Sequence, residues 1–391
     1  MTVGKFGYGR FHPKPIYMVL SLALVFSPGC SRGPLSGSAG SVPVFTRSFI
    51  TAGKPSQYTL AGRRPELGGT TTIPTALVPV SLIFDGYTDK AGKKLVISAA
   101  SDVPKVVQSP IFQKFAFATG ATQYGDAVQR AEFYSQAVSK DWHTLLGQPR
   151  VTPGLQIEIP VADGYVLTSK RTGHSLAVVD LEFVQKELFK DLSHSRVRPD
   201  ELVIALTKDV EFYPLGDATV CCSWGAYGVH RDASSKLRQA FILGTYLDPG
   251  VVPGYSDIQT LSEQIAEWMN DPLQGYRANI FPAWRKPPQN ARCGGRGEGT
   301  FYRFAEPTDG GSISNSTVVT AHGDVYHLEN AALLPWFTEN VHPGTFQGAY
   351  SFPGTHALTA AAQPCSGLRR SSAPPTASPL PNAHPPNGHE L

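Results

Sequence analysis

The chain has few of the groups by which most enzyme classes are recognised. It holds five cysteines and three methionines, and no Cys-x-x-Cys spacing occurs, which argues against a four-cysteine zinc site. No Gly-x-x-x-x-Gly-Lys-Ser/Thr loop is present to cradle a phosphate, and no Gly-x-Ser-x-Gly elbow to present a nucleophilic serine. Self-similar repeats are missing, which sets aside solenoids and propellers. Strong charge of either sign is missing too. The net charge of +3 does not point to nucleic acid. The apolar run at 16–26, IYMVLSLALVF, is too short for a comfortable membrane span.

What is present reads as an exported globular protein. Over 391 residues, a hydrophobic content of 41% is enough for one large or two medium domains. Gly 38 and Pro 33 imply many turns and long loops. Lys5, Arg10 and Lys14 form a basic flank to the apolar run, as in a signal peptide. Ser27-Pro28-Gly29-Cys30 then resembles a bacterial lipobox, which implies that Cys30 is lipidated and becomes the first mature residue. Residues 1–29 are therefore expected to be a signal peptide and 30–61 a tether. The Gly/Ser/Pro-rich composition of 31–43 argues against a short buried helix here. The expected location is the cell envelope, through an N-terminal lipid anchor to the membrane, or the extracellular space.

Removing Cys30 leaves Cys221, Cys222, Cys293 and Cys365, an even number for an oxidising compartment. Neighbouring residues on a strand face opposite sides. Cys221 and Cys222 are thus each expected to pair with a distant partner, Cys293 or Cys365.

Patterning predicts an α+β chain. Strands are expected at 77–84, 155–161, 165–169, 201–207, 210–213, 219–230 and 239–247. Helices are expected at 103–117 and 126–138, and within 176–192 around DLEFVQKELFKDL. The clearest helix is 256–271. Ile258, Leu261, Ile265 and Trp268 step by three or four and line one face. Ser256 or Asp257 can cap its start, and Asn270-Asp271-Pro272 stops it. Glu263 and Glu267 are four apart and share a face, so the pair is either solvated or shares a cation. Beyond 275 the chain is irregular, with an apolar helix expected at 328–337 and a closing segment at 350–355. His327 and Glu329 can lie on a strand and point the same way. The tryptophans and nearby tyrosines read better as core than as a binding strip. Residues 366–391 are Pro/Ser/Ala-rich and cannot build a core.

The stretch LSEQIAEWMNDP resembles the active-site helix of a group of uncharacterised secreted bacterial proteins, in which the segment reads His-Glu-x-x-Glu-Trp or similar and runs into Asp-Pro. QYGDAVQRAEF, at 123–133, recurs in the same group, and the resemblance spans most of 62–365. That helix in turn resembles the His-Glu-x-x-His helix of zincin metallopeptidases, where the first His and the residue four later bind zinc and the intervening Glu is the general base. The resemblance implies a zincin-like mixed twisted sheet with a long active-site-type helix. It divides the chain into an N-terminal α/β region (62–150), a zincin-like lobe (151–272) and an irregular C-terminal subdomain (273–365).

The sequence departs from that pattern at the chemistry. Glu263 stands where the His belongs and Gln264 where the catalytic Glu belongs, and an amide cannot take a proton from water. No catalytic residue is therefore assigned and no cofactor is expected. The alternative is an active zinc peptidase with altered ligands drawn from Glu263, Glu267, Asp271 and His327. The leading expectation is an exported protein that binds a protein or peptide without hydrolysing it. A third possibility is a structural or adhesive envelope domain.

Overall fold

The computed structural model describes residues 42–51, 54–169, 172–192, 197–220, 222–231, 238–273, 316–337 and 344–355. The expected signal peptide, Cys30, Cys221, Cys293, Cys365, the segment 274–315 and the tail lie outside the described residues.

Strands β1 (Val44–Thr51) and β2 (Lys54–Ala61) form an antiparallel hairpin. This corrects the expected tether. The Gly/Ser/Pro-rich composition stops at Pro43, and Phe45, Tyr58, Leu60 and Ala61 beyond it are buried in the main core. Strand β3 (Gly69–Ile73) leads into β4 (Thr75–Thr88), the spine of the central sheet. Then come β5 (Lys94–Ser98), α1 (Val103–Gln108), β6 (Phe115–Phe117) and β7 (Gly120–Thr122). Helix α1 is shorter than expected because Pro110 forces Ser109 into an extended conformation. The helix expected at 126–138 is two, α2 (Tyr124–Glu132) and α3 (Tyr134–Lys140), broken at Phe133.

Strands β8 (Trp142–Leu146), β9 (Arg150–Val151), β10 (Leu155–Ile159), β11 (Gly164–Thr168) and β12 (Ser175–Asp180) follow. Helix α4 (Leu181–Leu192) crosses over to β13 (Leu202–Lys208) and β14 (Val210–Tyr213). Next are β15 (Gly225–Arg231), β16 (Arg238–Tyr246) and α5 (Gln259–Asn270). The last described elements are β17 (Ser316–Ala321), β18 (Asp324–Glu329), β19 (Ala331–Ala332), α6 (Leu334–Phe337) and β20 (Ser351–Phe352). The helix expected at 328–337 is therefore only α6. Leu328 belongs to β18, and β19 pairs with β20.

The central sheet runs β10-β4-β13-β16-β15. All neighbours along this path are parallel except β15, which is antiparallel to β16 at one end. Pro79 sits where β4 changes partner: pairing with β13 ends there, and pairing with β10 begins at Val80. Proline has no N–H to give a ladder, so a junction between partners is where a strand tolerates it. The register divides the sheet's side chains between two cores. Val78, Val80, Leu82 and Phe84 face the side covered by α4 and the small sheet β11-β12-β14. Leu77, Leu202, Ile204 and Leu206 face the side covered by α2 and α5. A strand buried on both faces reads as one apolar run, which is why TALVPVSLIF shows no alternation.

This sheet crosses the boundary expected at 150/151, because β4 pairs with β9, β10 and β13. The described C-terminal strands are not separate either. Strand β18 packs against α5, and the Tyr124 hydroxyl donates to the Glu329 carbonyl at 2.8 Å. The chain is mixed α+β, as the patterning predicted.

Candidate functional site

Helix α5 is where the resemblance places chemistry, and its surroundings can be built residue by residue. The chain enters it through Asp257, which has a positive φ of 45° and exchanges backbone hydrogen bonds with Leu247 at the end of β16. The Asp257 carboxylate accepts from the Ile258 N–H at 2.6 Å, so the helix start is held by Asp257. At the other end the Asp271 N–H donates back to the Glu267 and Trp268 carbonyls, and Pro272 prevents another turn.

Three glycines let α5 approach its neighbours. A Cβ on Gly244 of β16 would lie 2.8 Å from Leu261 Cδ1, and one on Gly225 of β15 would lie 3.2 Å from Gln264 Cγ. A Cβ on Gly125 of α2 would lie 2.2 Å from Met269 Sδ. The sheet, α2, β2 and β18 all pack on the helix, and every residue from Gln259 to Asn270 is buried.

This overturns the solvated-face reading of Glu263 and Glu267. The apolar stripe is where it was expected, with Ile258, Leu261, Ile265 and Trp268 in the main core. The opposite face is covered as well, and its polar groups bond to one another. Gln264 Nε2 donates to Glu267 Oε2 at 3.2 Å, and Gln259 Nε2 to Glu329 Oε2 at 3.1 Å. The Ser262 hydroxyl donates to the Gln259 carbonyl and accepts from the Glu329 N–H. Helical spacing reports what one helix presents and is silent about what covers it.

The electrostatics follow from that burial. Burial pushes the Glu263 carboxyl well above the usual carboxylate range, and the nearby charges of Glu329 and Glu267 push it further. Tyr124 is raised by burial and then by the same carboxylates. Glu263, Glu267 and Glu329 thus form one acidic group, drawn from α5 and β18.

His327 and Glu329 do point the same way along β18, onto the start of α5. Glu329 joins the acidic group, whereas His327 serves Asp257: its Nδ1 lies 2.6 Å from Asp257 Oδ2, and its N–H donates to Oδ1 at 2.8 Å. The alternative zinc set of Glu263, Glu267, Asp271 and His327 is not assembled. Among the described residues, no three His, Cys, Asp or Glu side chains are placed to hold a metal ion. His322 lies at the exposed tip of the β17–β18 hairpin, where it and Gly323 both take positive φ, the conformation of a tight two-residue turn. Cys222 is disulfide-bonded.

Sequence reasoning missed two further clusters. The motif at 123–133 works as a set of tertiary ties. Gln123 bonds to backbone at Phe112 and Leu146, and Asp126 accepts from Thr122, Thr144 and His143. Gln129 reaches the Ala61 and Met269 carbonyls, and Glu132 pairs with Asn270. Apart from the resemblance, its sequence signal is an excess of polar residues in a segment that also holds Tyr, Ala and Val. The other cluster lies at the carboxyl ends of β13 and β16. Lys208 Nζ sits 3.0 Å from Asp102 and 2.9 Å from Asp248, and Lys105 also pairs with Asp102. Burial pushes the neighbouring Asp209 carboxyl up to about 6. No local pattern could have joined residues so far apart in the chain.

No protein-family model, curated protein or solved structure matches the chain.

Proposed function

We propose that this chain is an exported cell-envelope protein, lipid-anchored at Cys30, in which a zincin-like framework carries a non-catalytic binding role. Two features of the fold support the framework. A mixed sheet ends in an antiparallel strand, β15, and the helix that follows β16 lies directly against β15 and β16. That is the order a zincin lobe requires. The observation that most supports a loss of hydrolysis is Gln264. It stands at the general-base position, its amide has no proton-accepting role, and its Nε2 is committed to Glu267. Glu263 stands at the position of the first ligand and offers a carboxyl where the pattern has an imidazole. On this reading the ligand is a protein or peptide.

Elemental analysis of the purified protein tests the reading, with an expected zinc content well under one per chain and no hydrolysis of casein. Stoichiometric zinc, together with chelator-sensitive proteolysis that Glu267→Ala abolishes, would overturn it. The anchor is tested separately by incorporation of radiolabelled fatty acid. Label should enter the wild type, and Cys30→Ala should be released from membranes; absence of both effects would sink the anchor.

A further inference from the structure

The C-terminal ends of α2 and α5 meet at a carboxyl group that the proposed function does not use. Glu132, the last residue of α2, is buried. Its Oε1 accepts from Asn270 Nδ2 at 2.6 Å and from the Leu334 N–H at 3.2 Å. Asn270 ends α5 and Leu334 begins α6, so this one carboxyl ties three elements together. One turn earlier on α2, Gln129 donates to the Ala61 carbonyl at 3.2 Å and the Met269 carbonyl at 3.0 Å. Strand β2 is thereby fastened to the same pair of helices.

What these three side chains leave over is all of one kind. Glu132 Oε2, Asn270 Oδ1 and Gln129 Oε1 are buried acceptors with no hydrogen-bond partner among the described residues. A buried acceptor left unpaired destabilises the fold, since it gives up its water without a replacement. With Glu132 ionised, Oε2 carries buried charge that no donor among the described residues answers. A proton on the carboxyl removes that charge and leaves Oε1 accepting from Asn270 and Leu334.

The ionisable surroundings do not supply a substitute. Strand β2 brings Tyr58, which senses Glu132, and β1 brings Arg47, which donates to the Gln136 side chain and is paired with Glu66. Helix α5 brings the Asn270 amide, and α6 brings a backbone N–H. Among the described residues, no Lys, Arg or His forms an ion pair with Glu132. Burial accordingly raises its carboxyl to about 8.

We propose that Glu132 is a proton-operated latch, which in its neutral form locks the ends of α2 and α5 to the start of α6 and which loosens that corner when its proton is lost. The sign follows from linkage. The folded chain keeps a proton that the unfolded chain releases near 4.5, so stability falls as pH rises from about 4.5 to about 8 and then levels off. Above that range the ionised group needs water, and reaching water opens the corner at Leu334.

The test compares urea denaturation of the full chain with that of Glu132→Gln from pH 5 to pH 9. Gln keeps the size and carries a permanent donor. Between pH 5 and pH 8 the folding equilibrium constant of the wild type, relative to the variant, should fall on the order of a hundredfold. A difference that stays flat overturns the latch. Since the variant could fail to fold, the wild type is also read directly by a carbon-13 titration of the Glu132 carboxyl in the folded chain. A protonated acid at pH 7 supports the proposal, and a carboxylate at pH 6 overturns it. Stabilisation at pH 7 by an added alkali or divalent cation, with Glu132 ionised, would assign the corner to a bound ion and also overturn it.

Discussion

At the scale of single residues, the closest approaches of α5 make contrasting claims. Gly225 and Gly125 both face it, but a Cβ on Gly225 would also lie 2.1 Å from the Leu243 carbonyl oxygen, whereas the first contact of one on Gly125 is with the Met269 thioether. Backbone in a paired sheet cannot give way, and a methionine side chain can. Gly225→Ala is expected to cost about 2 kcal/mol or more, and Gly125→Ala less, measured as shifts in the urea midpoint. Equal costs would show that the sheet yields as easily as the side chain.

His143 gives a pH-dependent expectation at the same scale. Its Nδ1 lies 2.7 Å from the buried Asp126 Oδ2, and this hydrogen bond raises the imidazole above its ordinary 6.5. A raised folded value contributes stability that is complete below the unfolded value and is lost as pH climbs through the folded one. The stability advantage of wild type over His143→Gln should therefore shrink as pH rises above about 6.5. A constant difference from pH 5 to 9 would remove His143 from the list of proton-linked groups.

At the scale of the element, α5 is a polar helix in an apolar position. Twelve buried residues that include Gln259, Thr260, Ser262, Glu263, Gln264, Glu267 and Asn270 are tolerable because partners reach them within the helix and from its neighbours: Gln264 bonds to Glu267, Gln259 to Glu329, Thr260 to the Thr245 carbonyl and Asn270 to Glu132. Burial, Glu329 and Glu267 raise the Glu263 carboxyl well above the usual range, so its ionisation opposes folding, and the amide of Glu263→Gln carries no such charge. That variant should melt at or above the wild-type temperature at pH 7, with its relative advantage growing as pH rises. A large loss of stability at pH 7 would mean that Glu263 is ionised in the fold.

At the scale of the whole molecule, one sheet with two cores joins segments that the resemblance had divided, and a disulfide adds to it. Cys222 is bonded, and the partners expected from the sequence, Cys293 or Cys365, would close loops of roughly 70–140 residues. In the chain-entropy model such a loop contributes about 4–5 kcal/mol, less any strain. Reduction should lower the urea midpoint accordingly, and peptide mapping under non-reducing conditions should link Cys222 to one of those two. An unchanged midpoint after complete reduction would show that the bond constrains little.

The sequence by itself determined the local elements whose signal is carried by neighbours along the chain: the apolar stripe of α5, the strand at 77–84, the strand at 210–213 and the stop at Pro272. It also determined that Gln264 cannot serve as a base, since that follows from residue type alone. Tertiary structure decided the rest. Glu263 and Glu267 became buried because α2, β2, β18 and the sheet close on every side of α5, and Glu329 joined them because the β17–β18 hairpin turns its alternate residues onto that helix. The β1–β2 hairpin became core and not tether because Phe45 and Leu60 found a surface made by residues far along the chain. A side chain's burial, its partner and its proton affinity depend on groups brought together across long loops, and periodicity within one segment carries no information about them.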